Sequence, residues 1–175
     1  MTTDVRAGTR RIRAHGLSVV VPLGWDARIE RRREDVVVAP GTDVPMGGYV
    51  HPVLHMATVA LPAVRGDYGS GVVETMGRRD IFVSLVEFDP EAGRTAMFRP
   101  GWPVRLRVGD FDPNAQQRVQ PNMCGTQRFV TSAGRAFCLY VVLGSFLRRS
   151  LALADVNAAI AGIEIEDRSP GRAGD

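Results

Sequence analysis

Two histidines four residues apart, His51 and His55, have the residue types and helical spacing of a metal site. Pro52 and the β-branched run behind it favour a strand instead, on which both would still share a face. No cysteine or glutamate nearby completes a ligand set, so no metal is expected. Asp110, Asp112 and Asn114 begin like a calcium loop. That loop needs glycine at its sixth position and glutamate at its twelfth, where Ala115 and Pro121 stand. Asp112-Pro113 reads better as a helix cap followed by proline at the first helical position.

Gly66, Gly69 and Gly71 precede an apolar segment, as a phosphate cradle would. The third glycine of the dinucleotide pattern is replaced by Glu74, whose carboxylate would repel a phosphate. Ser70 lacks the outer glycines of a nucleophile elbow. The segment reads as a plain turn. Of the two cysteines, Cys138 is expected mid-strand, buried and inert, opposite Phe129. Cys124 falls in a loop without a neighbouring histidine or cation to activate it.

All 22 basic side chains are arginine, which points to a GC-rich bacterial coding sequence. A chain without lysine has no phosphate-loop lysine, no Schiff-base lysine and no kinase strand lysine. The net charge of +3 gives no strong field for nucleic acid or anionic lipid. The densest basic run, Arg28 and Arg31 to Arg33, is interrupted by Glu30, Glu34 and Asp35 and holds no aromatic for base stacking. It reads as a solvated strand. No cofactor motif emerges, and the expected partner is another protein, with neither nucleic acid nor membrane.

These residues need a scaffold, and 175 residues suffice for one core. The expected domain is 12–166, with flexible tails at 1–11 and 167–175. The polar N-terminus has no signal-like apolar stretch, and no run reaches the length of a membrane span, so the cytoplasm is expected. Strands are expected over 17–22, 25–33, 53–61 and 81–88, the first two as a hairpin about Leu23-Gly24. Residues 40–52 read as a loop. Short helices are expected over 72–76, capped by Ser70, and over 113–119, with a short strand at 104–108 between them. A second hairpin, 126–131 with 135–143, turns at Ala133-Gly134 and carries apolar residues on both faces. Both faces therefore need cover, and helices are the usual cover. One is evident after Ser150, with Leu153, Val156 and Ile160 as its stripe, Gly162 as its end, and a short strand over 163–165 following.

Three passages, Gly16 to Trp25 with its Pro-x-Gly-Trp end, Thr131 to Tyr140 around the glycine turn, and Leu151 to Ile165, resemble the PsbP-like fold shared by DcrB-like bacterial proteins. The resemblance implies an α+β fold, an antiparallel β-sheet with helices packed on its faces. Known members of that fold include extrinsic photosystem subunits, a Ran-binding transport factor and chaperones for secreted effectors. It carries over no catalytic residues.

Two functions follow as expectations. The first is a non-enzymatic protein-binding module: an adaptor, chaperone or assembly component, an immunity-type inhibitor being a special case. Its surface would be the proline-rich 96–112 stretch with Met97, Phe98, Trp102 and Phe111, joined by the glycine turn at 66–71. The bland alternative is that these aromatics plug one edge of the sheet. The second is a small-ligand-binding protein or enzyme with a pocket between sheet and loops, drawing on His51, His55, Asp110 and Arg128.

Overall fold

The computed structural model describes residues 2–6, 9–31 and 51–167. They form two sheets and, among the described residues, one α-helix, so the fold is mixed α+β and mostly sheet. The small sheet has the order β1-β2-β3-β10, from β1 (Thr2–Arg6), β2 (Thr9–Ala14), β3 (Leu17–Val21) and β10 (Ile163–Ile165). The large sheet has the order β4-β5-β6-β9-β8-β7. Its strands are β4 (Asp26–Arg31), β5 (Pro52–Ala57), β6 (Ile81–Phe88), β7 (Arg99–Pro100), β8 (Cys124–Ser132) and β9 (Arg135–Leu143). All pairs are antiparallel except the two-residue β7 with β8.

The β8–β9 hairpin follows the sequence pattern, with Phe129 opposite Cys138 and Val130 opposite Phe137. Ala133 and Gly134 both have positive φ, the two-residue turn that suits the twist of paired strands. Every residue of β9 is buried, and so are the first seven of β6. Such strands require cover on both faces.

The two covers differ in kind. One face of the large sheet presents Ile29, Leu54, Met56, Val83, Leu85, Phe137, Leu139 and Val141 to a core shared with Ile12, Leu17 and Val19 of the small sheet. Val156, Ala159 and Ile160 of α1 (Arg149–Ala161) join that core. The opposite face presents Ala57, Phe82, Tyr140 and Val142, which are covered by Leu61, Val72, Val73, Met76 and Met123. Among the described residues the segments bringing these five carry a single 3-10 turn (Val73–Thr75) and no α-helix.

Several expectations are corrected. The Leu23-Gly24 turn forms, with Trp25 N–H donating to the Pro22 carbonyl at 3.1 Å and Gly24 at φ +81°. It passes the chain from one sheet to the other, because both edges of β3 are already taken by β2 and β10. Residues 2–6 and 9–11, expected as a tail, pair as strands. Neither 104–108 nor 113–119 is regular. The Asn157 side chain takes both backbone groups of Leu106, at 2.9 and 3.0 Å, in place of a neighbouring strand. Asp112 pairs backbone to backbone with Gly125 instead of capping a helix. The 72–76 helix is the 3-10 turn alone, and Ser70 does not cap it. α1 begins one residue before Ser150, with no side-chain cap. The 40–50 part of the expected loop, 32–35 of the basic run, and 168–175 of the expected tail lie outside the described residues.

Candidate functional site

Tyr140 on β9 points to the loop-covered face and is 1% exposed. Above it lies a cavity of about 290 Å³ lined by Gly66, Asp67, Tyr68, Ser70, Val73, Glu74, Gln117 and Arg118. A cavity of roughly 150 Å³ holds benzene. This one therefore suits a substituted ring or a small metabolite, and is too small for a dinucleotide.

The glycine-rich loop forms one wall and is closed by its own backbone. Gly66 N–H donates to the Ser70 carbonyl and Gly69 N–H to the Gly66 carbonyl, each at 2.9 Å. Gly69 sits at φ +85°, and a Cβ there would press into the Phe82 ring. The sheet fixes this loop through His55 and Ser84. Ser84 donates to the Asp67 carbonyl at 2.6 Å, and His55 Nε2 lies 2.9 Å from the same oxygen. Arg65 Nε donates to His55 Nδ1 at 3.0 Å, so the proton of the neutral ring sits on Nε2 and is given to Asp67. Arg65 also donates to the Pro62 carbonyl and stands 2.8 Å from the Glu30 carboxylate, off the line of an N–H. Burial, with the Arg65 guanidinium beside it, pulls His55 down to about 3.

The opposite wall comes from the irregular 113–120 segment. Gln117 N–H donates to the Tyr140 hydroxyl at 3.0 Å. Tyr68 meets Tyr140 edge-on, with centroids 5.5 Å apart, and hydrogen-bonds the Cys138 thiol. Glu74 accepts from Gly71 N–H at 2.7 Å and stands 3.9 Å from the exposed Arg118. Asp67, Glu74 and Arg118 are the charged residues of the lining.

Among the described residues, no group of three or more histidine, cysteine or acidic side chains is placed to hold a metal ion. Burial pushes Cys124 up to about 11 and Cys138 up to about 12. Cys124 lies at the buried start of β8, not in a loop. With His55 held neutral, neither thiol nor this imidazole is poised for acid–base or nucleophilic work near neutral pH.

The other sequence candidates disperse. Asp110 and Arg128 do meet, at 2.6 Å, but as a brace between the 107–110 turn and β8. Asp110 also accepts from Arg107 N–H at 2.7 Å. Alternation along β8 and β9 places Arg128 opposite Leu139, on the face away from Tyr140 and His55. His51 is half-buried just before β5. Of the aromatic group, Phe111 is in the core between the sheets, and Trp102 packs against that core and donates its indole N–H to the Ile163 carbonyl at 3.3 Å. Phe98 is buried in a cluster with Phe88 and Phe129. Met97 alone of the four stands out, at 61% exposure. Tyr68, Arg65, Gln117 and Tyr140 carry no spacing that marks them; of the sequence's pocket candidates His55 lies beneath this loop, whose glycine segment reads as a plain turn.

No family model, curated protein or solved structure matches the chain. Among the described residues no helix is long and apolar enough to cross a membrane.

Proposed function

We propose that this chain is a small-ligand-binding protein whose site is the cavity between the large sheet and its loops. One observation carries the reading: the buried Tyr140 hydroxyl accepts from Gln117 but has no acceptor for its own proton among the described residues. That hydroxyl opens on a polar-lined cavity, where a ligand oxygen or nitrogen would accept its proton. Burial raises the Tyr140 pKa, which keeps the phenol protonated and able to donate. The ligand is therefore compact and carries a hydrogen-bond acceptor. The elevated thiol pKa values and the neutral, fully engaged His55 support binding over catalysis.

The test is a thermal-shift screen of small fragments at high excess. Acceptor-bearing fragments are expected to raise Tm, and size-matched fragments without an acceptor are not. No stabilisation by any fragment would overturn the reading.

A second reading, the protein-binding module, is supported by exposed Leu147 and Leu151 and by the resemblance to PsbP-like proteins. Its surface then lies at the start of α1 and not at 96–112, where three of the four aromatic and methionine candidates are drawn into the structure.

A further inference from the structure

A second cavity, of about 180 Å³, opens where the turn before β6 meets the first turns of α1. Its floor is Ile81, Leu143, Gly144 and Ser145. The turn is held rigidly. Gly77 N–H and the Thr58 hydroxyl each donate to the Asp80 carboxylate, at 2.7 and 2.9 Å, and Gly144 N–H donates to the Asp80 carbonyl at 2.9 Å. Gly144 admits no side chain, since a Cβ there would run into the Gly77 carbonyl. Both oxygens of Asp80 are thus engaged within the turn.

Arg78, Arg79 and Arg148 border this groove and make no ion pair among the described residues. Elsewhere among the described residues Arg10, Arg11, Arg13, Arg65, Arg118, Arg128 and Arg135 are paired with carboxylates, while Arg28, Arg31, Arg94, Arg99, Arg105, Arg107 and Arg149 are not; what sets the groove apart is three such cations around one cavity. Beside the three unpaired cations stand Leu151, 67% exposed, and Leu147, 87% exposed. Asp155 is the one lining acid not engaged within the turn, and it lies a helical turn further along α1. Unpaired guanidiniums beside exposed leucines, over a fixed floor, match a segment of opposite charge with an apolar anchor.

We propose that this groove docks an acidic peptide segment of a partner protein, its carboxylates on Arg78, Arg79 and Arg148 and an apolar side chain against Leu147 and Leu151. The inference rests on the protein-binding reading and names its partner's chemistry. It does not involve the Tyr140 cavity.

The experiment pans short random phage-displayed peptides against the full chain, then titrates the enriched sequences as labelled synthetic peptides. Enriched sequences are expected to place Asp or Glu around a large apolar residue, and to bind more weakly as salt rises. The double variant Arg78→Ser/Arg79→Ser is expected to weaken binding about tenfold or more, as is Leu147→Ser/Leu151→Ser, with Tyr140→Phe unchanged. These exposed positions leave the fold intact, which circular dichroism checks. Enriched peptides without acidic residues, or unaffected by these variants, would overturn the proposal while leaving a protein-binding role standing. No enriched peptide would remove both. In that case, binding to phosphatidylglycerol–phosphatidylcholine vesicles that is lost in the leucine variant would assign the groove to an anionic membrane surface instead.

Discussion

The two faces of the large sheet solve the same burial problem in opposite ways. The face towards the small sheet is apolar, and its buried ion pair is fully engaged. Glu87 and Arg135, each with a side chain 3% exposed, meet through two hydrogen bonds of 2.9 and 2.7 Å. Arg135 then spends its remaining donors on the carbonyls of His15, Gly16 and Glu166, and so ties β9 to the strands of the small sheet. The loop-covered face is built from polar anchors: His55, Ser84 and Tyr140 hold backbone groups of the loops above them. Where sheet packs on sheet solvent is excluded, and the groove on this side lies at the first turns of α1. Loops fixed at a few points leave a cavity. The difference separates a face that supplies stability from one able to supply binding.

The comparison breaks first at Arg135. Arg135→Ala strands a buried carboxylate and is expected to cost about 3–5 kcal/mol in urea unfolding. The double variant Arg135→Leu/Glu87→Leu is expected to recover much of that loss. Trp102→Ala is expected to cost about 2–3 kcal/mol, because the indole packs against the inter-sheet core. Any loss of partner binding in that variant must be read against its lower stability.

The loop-covered face differs in its response to acid. His55 is neutral when folded, with a pKa of about 3 against about 6.5 unfolded. The unfolded chain therefore binds the extra proton. The stability from the neutral ring is complete above about pH 6.5 and falls by about 1.4 kcal/mol for each unit below it, down to about pH 3. Urea midpoints between pH 7 and 5 are expected to drop in the wild type. In His55→Gln they are expected to start lower and change less. Equal slopes in the two proteins would show that the acid response lies elsewhere. Smallest of all, Met97→Ser at its exposed position is expected to shift stability by no more than about 0.5 kcal/mol.

The same contrast explains what the sequence disclosed. Alternation and turn chemistry made the β8–β9 hairpin readable to the residue, including which side chains share Tyr140's face. The Val156–Ile160 stripe and Gly162 made α1 readable. Both signals are local and periodic. The destination of β4 was not local: Pro22 to Trp25 turns as expected, but only the pairing of β10 with β3, over 140 residues later, denies β4 its neighbour. Of the cavity the sequence showed His55 beneath it and a glycine segment that reads as a plain turn. Its working parts, a tyrosine from β9, a backbone amide at Gln117 and a carbonyl at Asp67, come from distant segments with no common spacing. The aromatics at 98, 102 and 111 look like an exposed cluster in a proline-rich stretch, yet two of them fill the core beside the small sheet and Phe98 closes an edge with Phe88 and Phe129.

The most direct test is a calorimetric titration of the strongest-binding fragment into wild type and Tyr140→Phe. Removing one hydroxyl leaves the ring packing in place and is expected to change stability by about 1 kcal/mol or less. If the Tyr140 proton is the ligand's anchor, affinity falls about tenfold while Tm without ligand barely moves. Equal affinity in the two proteins would contradict the assignment of the cavity as the binding site.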